Sequence, residues 1–330
     1  MKRQKLFILF LAFCLTGCSF GGSIQEATAP HIATTLPPTQ TEQPLTVETT
    51  APTEVPATPP ETEPAATAPT QNETIPPQVI VQPEPNDEDF VNVKTYIPDI
   101  VVDLRYSTEN NFTNQKIYDF TDVWLRYGTV KKLILVQEEL KQSGLCLKIW
   151  DGFRPPSAQF KLWDICPDPT YVSNPNNGFS SHSRGNTVDI TLVDADGREL
   201  GMPTGFDDFT KLADRDYSDC DEEAAKNAML LEQTMEKYGF RPYAGEWWHY
   251  TDTQSYPVEQ TFEPVAGALY YADCNEYISL RTKPNATADV ITKILVGEQF
   301  EVVARCGDFA LIEYQDLCGY VLFSYIQPIN

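Results

Sequence analysis

Histidine is scarce in this sequence: 330 residues contain only three, at positions 31, 182 and 249. Basic residues are short as well, 24 Lys and Arg against 47 Asp and Glu, which leaves a formal charge of −23. That balance excludes nucleic acid as a partner, because its phosphates would be repelled. The acids are spread along the chain, so they read as a solvated surface rather than as a binding patch. The apolar run Leu6–Leu15 is too short to cross a bilayer as a helix, which takes ~20 residues. No C-x-x-C pair occurs, which argues against a structural zinc cluster. No glycine-rich phosphate loop and no βαβ rhythm occur either, and a doubly wound sheet is excluded with them.

What is present begins with a processing segment, Met1 to Ser19. Lys2, Arg3 and Lys5 precede the apolar run, and Leu15-Thr16-Gly17-Cys18 then resembles the lipobox of bacterial lipoproteins. The resemblance implies a signal peptide over residues 1–18 and a lipid on Cys18. It places the protein outside the cytoplasm, anchored to the bacterial membrane; an ordinary cleaved signal peptide is the alternative. Residues 19–89 read as a tether. From Gly21 to Asp89 the chain carries fourteen of its 26 prolines and eleven acids, with no Lys or Arg. Such a segment buries too little apolar surface to offset its ordering entropy. Proline stiffness and charge repulsion extend it, with a reach on the order of 200 Å at most.

Folded sequence is expected from Phe90. Ile100 to Tyr106 reads as a strand. Val130 to Gln142 carries Leu133, Val136 and Leu140 at helical spacing, with Gly144 as its stop. Leu145 to Trp150 reads as a strand leading into Asp151-Gly152-Phe153-Arg154. Pro155 and Pro156 open a second helix, proline being tolerated in a first turn. Val188 to Val193 is strand-like, and Glu222 to Tyr238 a long helix ended by Gly239. This mixture predicts an α+β fold.

The two histidines of the folded region sit in Ser180-Ser181-His182-Ser183-Arg184-Gly185-Asn186-Thr187-Val188-Asp189 and in Glu246-Trp247-Trp248-His249-Tyr250. Two imidazoles and a carboxylate form a donor set that suits a catalytic zinc with a position left open. Gly185 lets the chain turn so that His182 and Asp189 face one point. Glu246, three residues before His249, supplies a base beside the metal that does not bind it. His249 could instead be a core histidine beside two tryptophans, and Glu246 a surface acid. Three donors plus a base, with no spare histidine, favour the metal.

Ser-x-His-x-x-Gly-x-x-x-Asp followed by Glu-Trp-Trp-His-Tyr is similar to the VanX-type D-alanyl-D-alanine dipeptidases among the zinc D-Ala metallopeptidases. Tyr106 to Thr113, Trp150 to Pro155, Phe206-Asp207 and Tyr238-Gly239-Phe240 extend the likeness in order, over about Val93 to Tyr256. The resemblance implies a Hedgehog/D-Ala-metallopeptidase-like catalytic domain over residues 90–262, with one zinc on His182, Asp189 and His249. It implies Glu246 as general base and Arg154 as the donor to the scissile carbonyl and the developing oxyanion. Arg154 could instead pair with Asp151. Tyr106 and Asp207 match positions that hold the substrate's amino group, and Ser180 one near its carboxylate. Asp207-Asp208 could equally cap a helix. Thr187 stands where the family prefers alanine, a change expected to tighten the pocket.

After Pro257 the composition changes to short alternating strands, Ile278–Leu280, Gln299–Ala304, Ala310–Tyr314 and Gly319–Phe323. Leu280 to Pro284, Val296-Gly297-Glu298 and Gly319-Tyr320-Val321 resemble bacterial SH3-like domains. That likeness implies a small all-β barrel over residues 266–330 and a cell-wall polymer as its partner; a packing module is the plain alternative. Six cysteines follow the signal, three in each folded region, so at least one thiol in each is expected free or paired across them. The expected activity is hydrolysis of D-alanyl-D-alanine at the cell surface, in wall metabolism. Trimming of wall stem peptides as a D,D-carboxypeptidase, and a non-catalytic wall-binding lipoprotein, are the alternatives.

Overall fold

The computed structural model describes residues 81–329. The signal segment, Cys18, His31 and most of the expected tether lie outside them. The chain first forms β1 (Phe90–Asn92), α1 (Val93–Tyr96), β2 (Val101–Val102) and β3 (Trp124–Arg126). Next come α2 (Tyr127–Lys141), β4 (Cys146–Asp151), α3 (Pro156–Ile165) and β5 (Thr187–Val193). Then α4 (Glu222–Lys237), β6 (Phe240–Tyr243) and β7 (Glu246–Asp252) complete the first half. β8 (Phe262–Ala272), β9 (Tyr277–Arg281), β10 (Val290–Leu295), β11 (Gln299–Cys306), β12 (Phe309–Tyr314), β13 (Leu317–Leu322) and β14 (Ile326–Pro328) form the second.

β2, β4, β5, β7 and β6 lie in that order in a five-stranded sheet, parallel only between β2 and β4. The pattern of β5 decides its place: all seven residues are buried, as a central strand covered on both faces requires. α2 and α4 pack on this sheet and on each other. Leu133, Val136 and Leu140 are buried on α2, Ala228, Leu231 and Met235 on α4. Each large side chain so buried contributes about 1.5–3 kcal/mol. Asp221 starts α4 by accepting from Glu223 N at 2.9 Å, and Glu222 and Glu223 in the first turn suit the helix dipole. Gly239 ends it at φ +86°.

Ile100 to Tyr106 differs from its expectation. Only Val101–Val102 is strand, and Arg105–Ser107 is a 3-10 turn that buries Tyr106. Tyr106 O accepts from both Ile117 N and Tyr118 N at 2.8 Å, so the backbone is committed to the loop and not to a ladder.

The C-terminal half is one antiparallel sheet in the order β10-β9-β13-β12-β11-β8-β14. Its end strands β10 and β14 each pair on one side only, so strand pairing does not close into the expected SH3-like barrel among the described residues. Phe262, Val303, Leu311 and Tyr320 from this sheet share an apolar cluster with Phe90, Trp124 and Phe153.

The last residues of the proline-rich stretch lie in the same seam. The Gln82 side chain bonds both backbone groups of Cys318, at 3.0 and 2.8 Å, and Lys283 pairs with Asp89. All six cysteines of the described residues are unpaired, from Cys146 to Cys318.

Candidate active site

His182 and Asp189 reach the site from the two ends of one turn. Ser180 caps a 3-10 turn over Ser181–Arg184, its hydroxyl accepting from His182 N at 3.4 Å. Gly185 follows at φ +75°, where a Cβ would also lie 2.5 Å from the Phe90 ring. Glycine is therefore required twice over, by conformation and by space. The chain then enters β5, and Asp189 sits opposite His249 of β7 in register. The Arg154 turn is tied to the His182 turn by Arg154 N to His182 O at 3.3 Å and Ser183 Oγ to Arg154 O at 2.8 Å.

Donor atoms of His182, Asp189 and His249 all lie within 4.8 Å of one another. His182 Nδ1 is 2.8 Å from Gly152 O, and since a carbonyl only accepts, that nitrogen carries the proton. Nε2 is left with its lone pair 3.3 Å from Asp189 Oδ2. His249 turns Nδ1 toward the site, 3.0 Å from Asp189 Oδ1 and 3.4 Å from Glu246 Oε2. Asp189 Oδ1 is buried and has no well-aligned hydrogen-bond donor. Three acceptor atoms aimed at one point, one of them orphaned, fit a divalent cation; two nitrogens and an oxygen suit zinc.

Between themselves the ionisable groups of the site also bias one another's charge. Burial pushes the Asp189 carboxyl upward, but the His182 and His249 imidazoles outweigh it and hold it below the usual carboxylate range. Burial likewise opposes charge on His182, and the Asp189 and Asp151 carboxylates raise it on balance. Burial raises the Glu246 carboxyl, with the His249 imidazole pulling the other way.

These residues line a cavity of about 320 Å³, together with Tyr106, Arg154, Ser180, Asp207 and the aromatic rim Tyr171, Phe209 and Tyr243. A larger cavity, about 480 Å³, lies between the β1 and β3 segment and the C-terminal sheet, over Phe90, Trp124 and Tyr320. None of the residues that line the smaller cavity lines this one, so size does not mark the chemistry here.

The ion pair set against the Arg154 role does form, Nη2 lying 2.6 Å from Asp151 Oδ2. It does not consume the side chain. Nε donates to Tyr118 OH at 3.3 Å and Nη1 to Gln159 Oε1 at 3.2 Å, so each terminal nitrogen keeps a second N–H for the cavity. Asp207 is not a helix cap. Asp208 Oδ1 accepts from Thr210 N, while Asp207 holds the left-handed conformation at φ +55° and accepts from Tyr106 OH at 2.9 Å. Burial and the Asp189 charge push its carboxyl up to about 8. Thr187 does not tighten the pocket: it is fully buried and turned to Thr251, its hydroxyl 3.1 Å from that partner's.

Sequence reasoning missed Tyr118, which bridges Asp151 at 2.8 Å and Arg154, and Ser181, whose hydroxyl lies 3.4 Å from His249 Nε2. Neither had a signal, since loop tyrosines and adjacent serines are common. It also missed Arg215, whose guanidinium bonds Glu246 O and His249 O.

Residues 86–267 match the family described as peptidase M15, D-ala-D-ala dipeptidase. The D-alanyl-D-alanine dipeptidase of Escherichia coli K12 is 35% identical over 172 residues, which cover 52% of this chain and 89% of that protein. The enzyme of the same name from Enterococcus faecalis V583 is 32% identical over 169 residues, 45% of this chain and 83% of that one. Its counterpart in Streptomyces coelicolor is 33% identical over 187 residues, 49% and 91%. The matched family range ends within β8.

Proposed function

Because the chain belongs to the peptidase M15 family of D-Ala-D-Ala dipeptidases, we propose that it hydrolyses D-alanyl-D-alanine with zinc held by His182, Asp189 and His249. The observation that carries the reading is the convergence of those three donors, within 4.8 Å of one another, beneath the Glu246 carboxylate. Zinc, when bound, supplies Lewis-acid polarisation of water and of the scissile carbonyl. Gly152 O orients His182 and Ser181 orients His249, the second with Nδ1 as ligand and Nε2–H toward the serine hydroxyl. Glu246 takes the proton of the attacking water and delivers it to the leaving amine. The free N–H groups of Arg154 donate to the substrate carbonyl oxygen as negative charge grows there.

Asp207 and Tyr106 support a dipeptide in preference to a longer chain. A carboxylate buried at one end of the cavity suits a free ammonium, which only the unsubstituted amino end of a dipeptide brings. Ser180 stands beside His182, where the substrate carboxylate would lie. Incubating the zinc-loaded protein with D-alanyl-D-alanine and, separately, with a wall pentapeptide tests this. Free D-alanine from the dipeptide alone is expected; release from the pentapeptide alone would make the enzyme a D,D-carboxypeptidase.

The Leu15–Cys18 motif supports an enzyme lipid-anchored outside the cytoplasm, acting there on dipeptides from wall turnover. Cys18→Ala should move the protein from the membrane to the soluble fraction. The SH3-like motifs from Leu280 to Val321 support contact of the C-terminal sheet with wall polymer. Co-sedimentation of the full chain with insoluble peptidoglycan tests that contact.

A further inference from the structure

Glu246 and His249 are three residues apart on one strand. Side chains alternate along a strand, so an unbroken ladder would send these two to opposite faces. The structure solves the parity problem with a bulge. On β6 the step from Pro242 to Tyr243 is a single residue, whereas their partners on β7, Tyr250 and Glu246, are four apart. Trp247, Trp248 and His249 therefore have no partner on the β6 side. A bulge of this size leaves backbone groups to be satisfied by something other than the ladder.

Arg215 is placed to satisfy them. Its Nη2 donates to Glu246 O at 3.0 Å and to His249 O at 3.1 Å, using both of that nitrogen's hydrogens. Nε donates to Tyr243 O at 2.7 Å, so one guanidinium grips both strands of the hairpin. Nη1 lies 2.8 Å from Glu232 Oε2 of α4 and 3.2 Å from Tyr250 OH, and the guanidinium carbon sits 4.6 Å from the Tyr250 ring centre. The side chain is only 11% exposed and lines no part of the catalytic cavity.

We infer that Arg215 is a positioning residue for hydrolysis: it fixes the β7 bulge that brings Glu246 and His249 to one side of the site. It touches neither substrate nor metal and acts through the two backbone carbonyls. The inference rests on the proposed zinc peptidase reading and adds to it a requirement for a planar fork. A lysine ammonium is a point donor and does not reach three carbonyls at once.

The test compares the wild type with Arg215→Lys, Arg215→Ala and a stability control, Leu231→Ala, which opens a cavity in α4 away from the site. For Arg215→Lys the expected result is a kcat lowered about 100-fold, the cost of a small misplacement of reacting groups, with KM within about threefold. Zinc should bind more weakly in competition with a chelator, because the His249 ring is no longer fixed. Added guanidinium at sub-denaturing concentration should restore part of the kcat of Arg215→Ala. Leu231→Ala should lower the melting temperature and keep kcat at temperatures where it remains folded.

A folded Arg215→Lys with wild-type kcat and zinc affinity would overturn the inference. So would a loss matched by Leu231→Ala at equal folded fraction, or failure of both Arg215 variants to fold. If the wild type cleaved no dipeptide, the peptidase reading would fall, while chelator competition would still report on the grip of Arg215.

Discussion

Phe262, the first residue of the C-terminal sheet, lies flat on Phe90, the first residue of β1, with ring centres 4.3 Å apart and planes 4° from parallel. Phe153, between Gly152 and Arg154, closes the same cluster 4.6 Å from Phe90. Phe262→Ala should therefore destabilise the protein by about 3–5 kcal/mol, the usual cost of emptying a buried aromatic site. Denaturant unfolding measures it. A loss below about 1 kcal/mol would mean that the two halves do not depend on each other.

Gly185 is held at φ +75° with the Phe90 ring where a Cβ would go. Gly185→Ala is expected to cost more than ~1–2 kcal/mol, the left-handed penalty alone, because the ring must also move. Zinc content should fall with stability, since the turn sets His182 against Asp189. Unfolding curves and metal analysis of the purified variant give both quantities.

Removing the Glu246 carboxylate while keeping its shape separates chemistry from metal binding. Glu246→Gln should retain zinc and lose about 10²–10⁴-fold in kcat, the range for general acid–base catalysis. Metal analysis beside the kinetics separates the two effects: a variant that loses zinc along with kcat would count against Glu246 as the base.

Asp207 trades stability for binding. Its carboxyl titrates near 8 in the folded protein against ~3.9 in an unfolded chain, so the folded state holds the proton more tightly. The associated stability is fully present below the unfolded value and is lost as pH climbs toward 8. In metal-free protein, Asp207→Asn should thus gain in relative melting temperature as pH rises; in the zinc-loaded enzyme the same change should raise KM for the dipeptide. A wild-type-minus-variant difference independent of pH would refute the buried, protonated carboxyl.

Much of the site was legible because its chemistry demands rare residues. With two histidines in the folded region, His182 and His249 had few competing roles, and Gly185 between His182 and Asp189 announced a turn. The helices were legible from spacing and stops, as Leu133, Val136 and Leu140 before Gly144 show. What stayed hidden depends on contacts distant in sequence. Arg215 sits in a loop without pattern, and its role follows only from carbonyls about 30 residues on. The strand expected at Ile100 to Tyr106 failed because its apolar residues are claimed by a loop. Of the C-terminal strands β9, β11, β12 and β13 were foreseen and β8, β10 and β14 were not; alternation is also silent on whether a sheet's ends meet, and here they stay apart.

β8 starts at Phe262 on the Phe90 ring and runs eleven residues along the C-terminal sheet, between β11 and β14. The link that leads into it, residues 253–261, is itself pinned to the first half, by Glu259 N donating to Ser183 O at 2.8 Å and by the Arg126–Glu259 ion pair. Exchanging the C-terminal half for an unrelated module, as a cassette on a linker would permit, leaves an uncovered aromatic face directly behind the Arg154 turn. Any transplant must bring its own flat hydrophobic lid, or the peptidase half will arrive with its rear wall open to solvent.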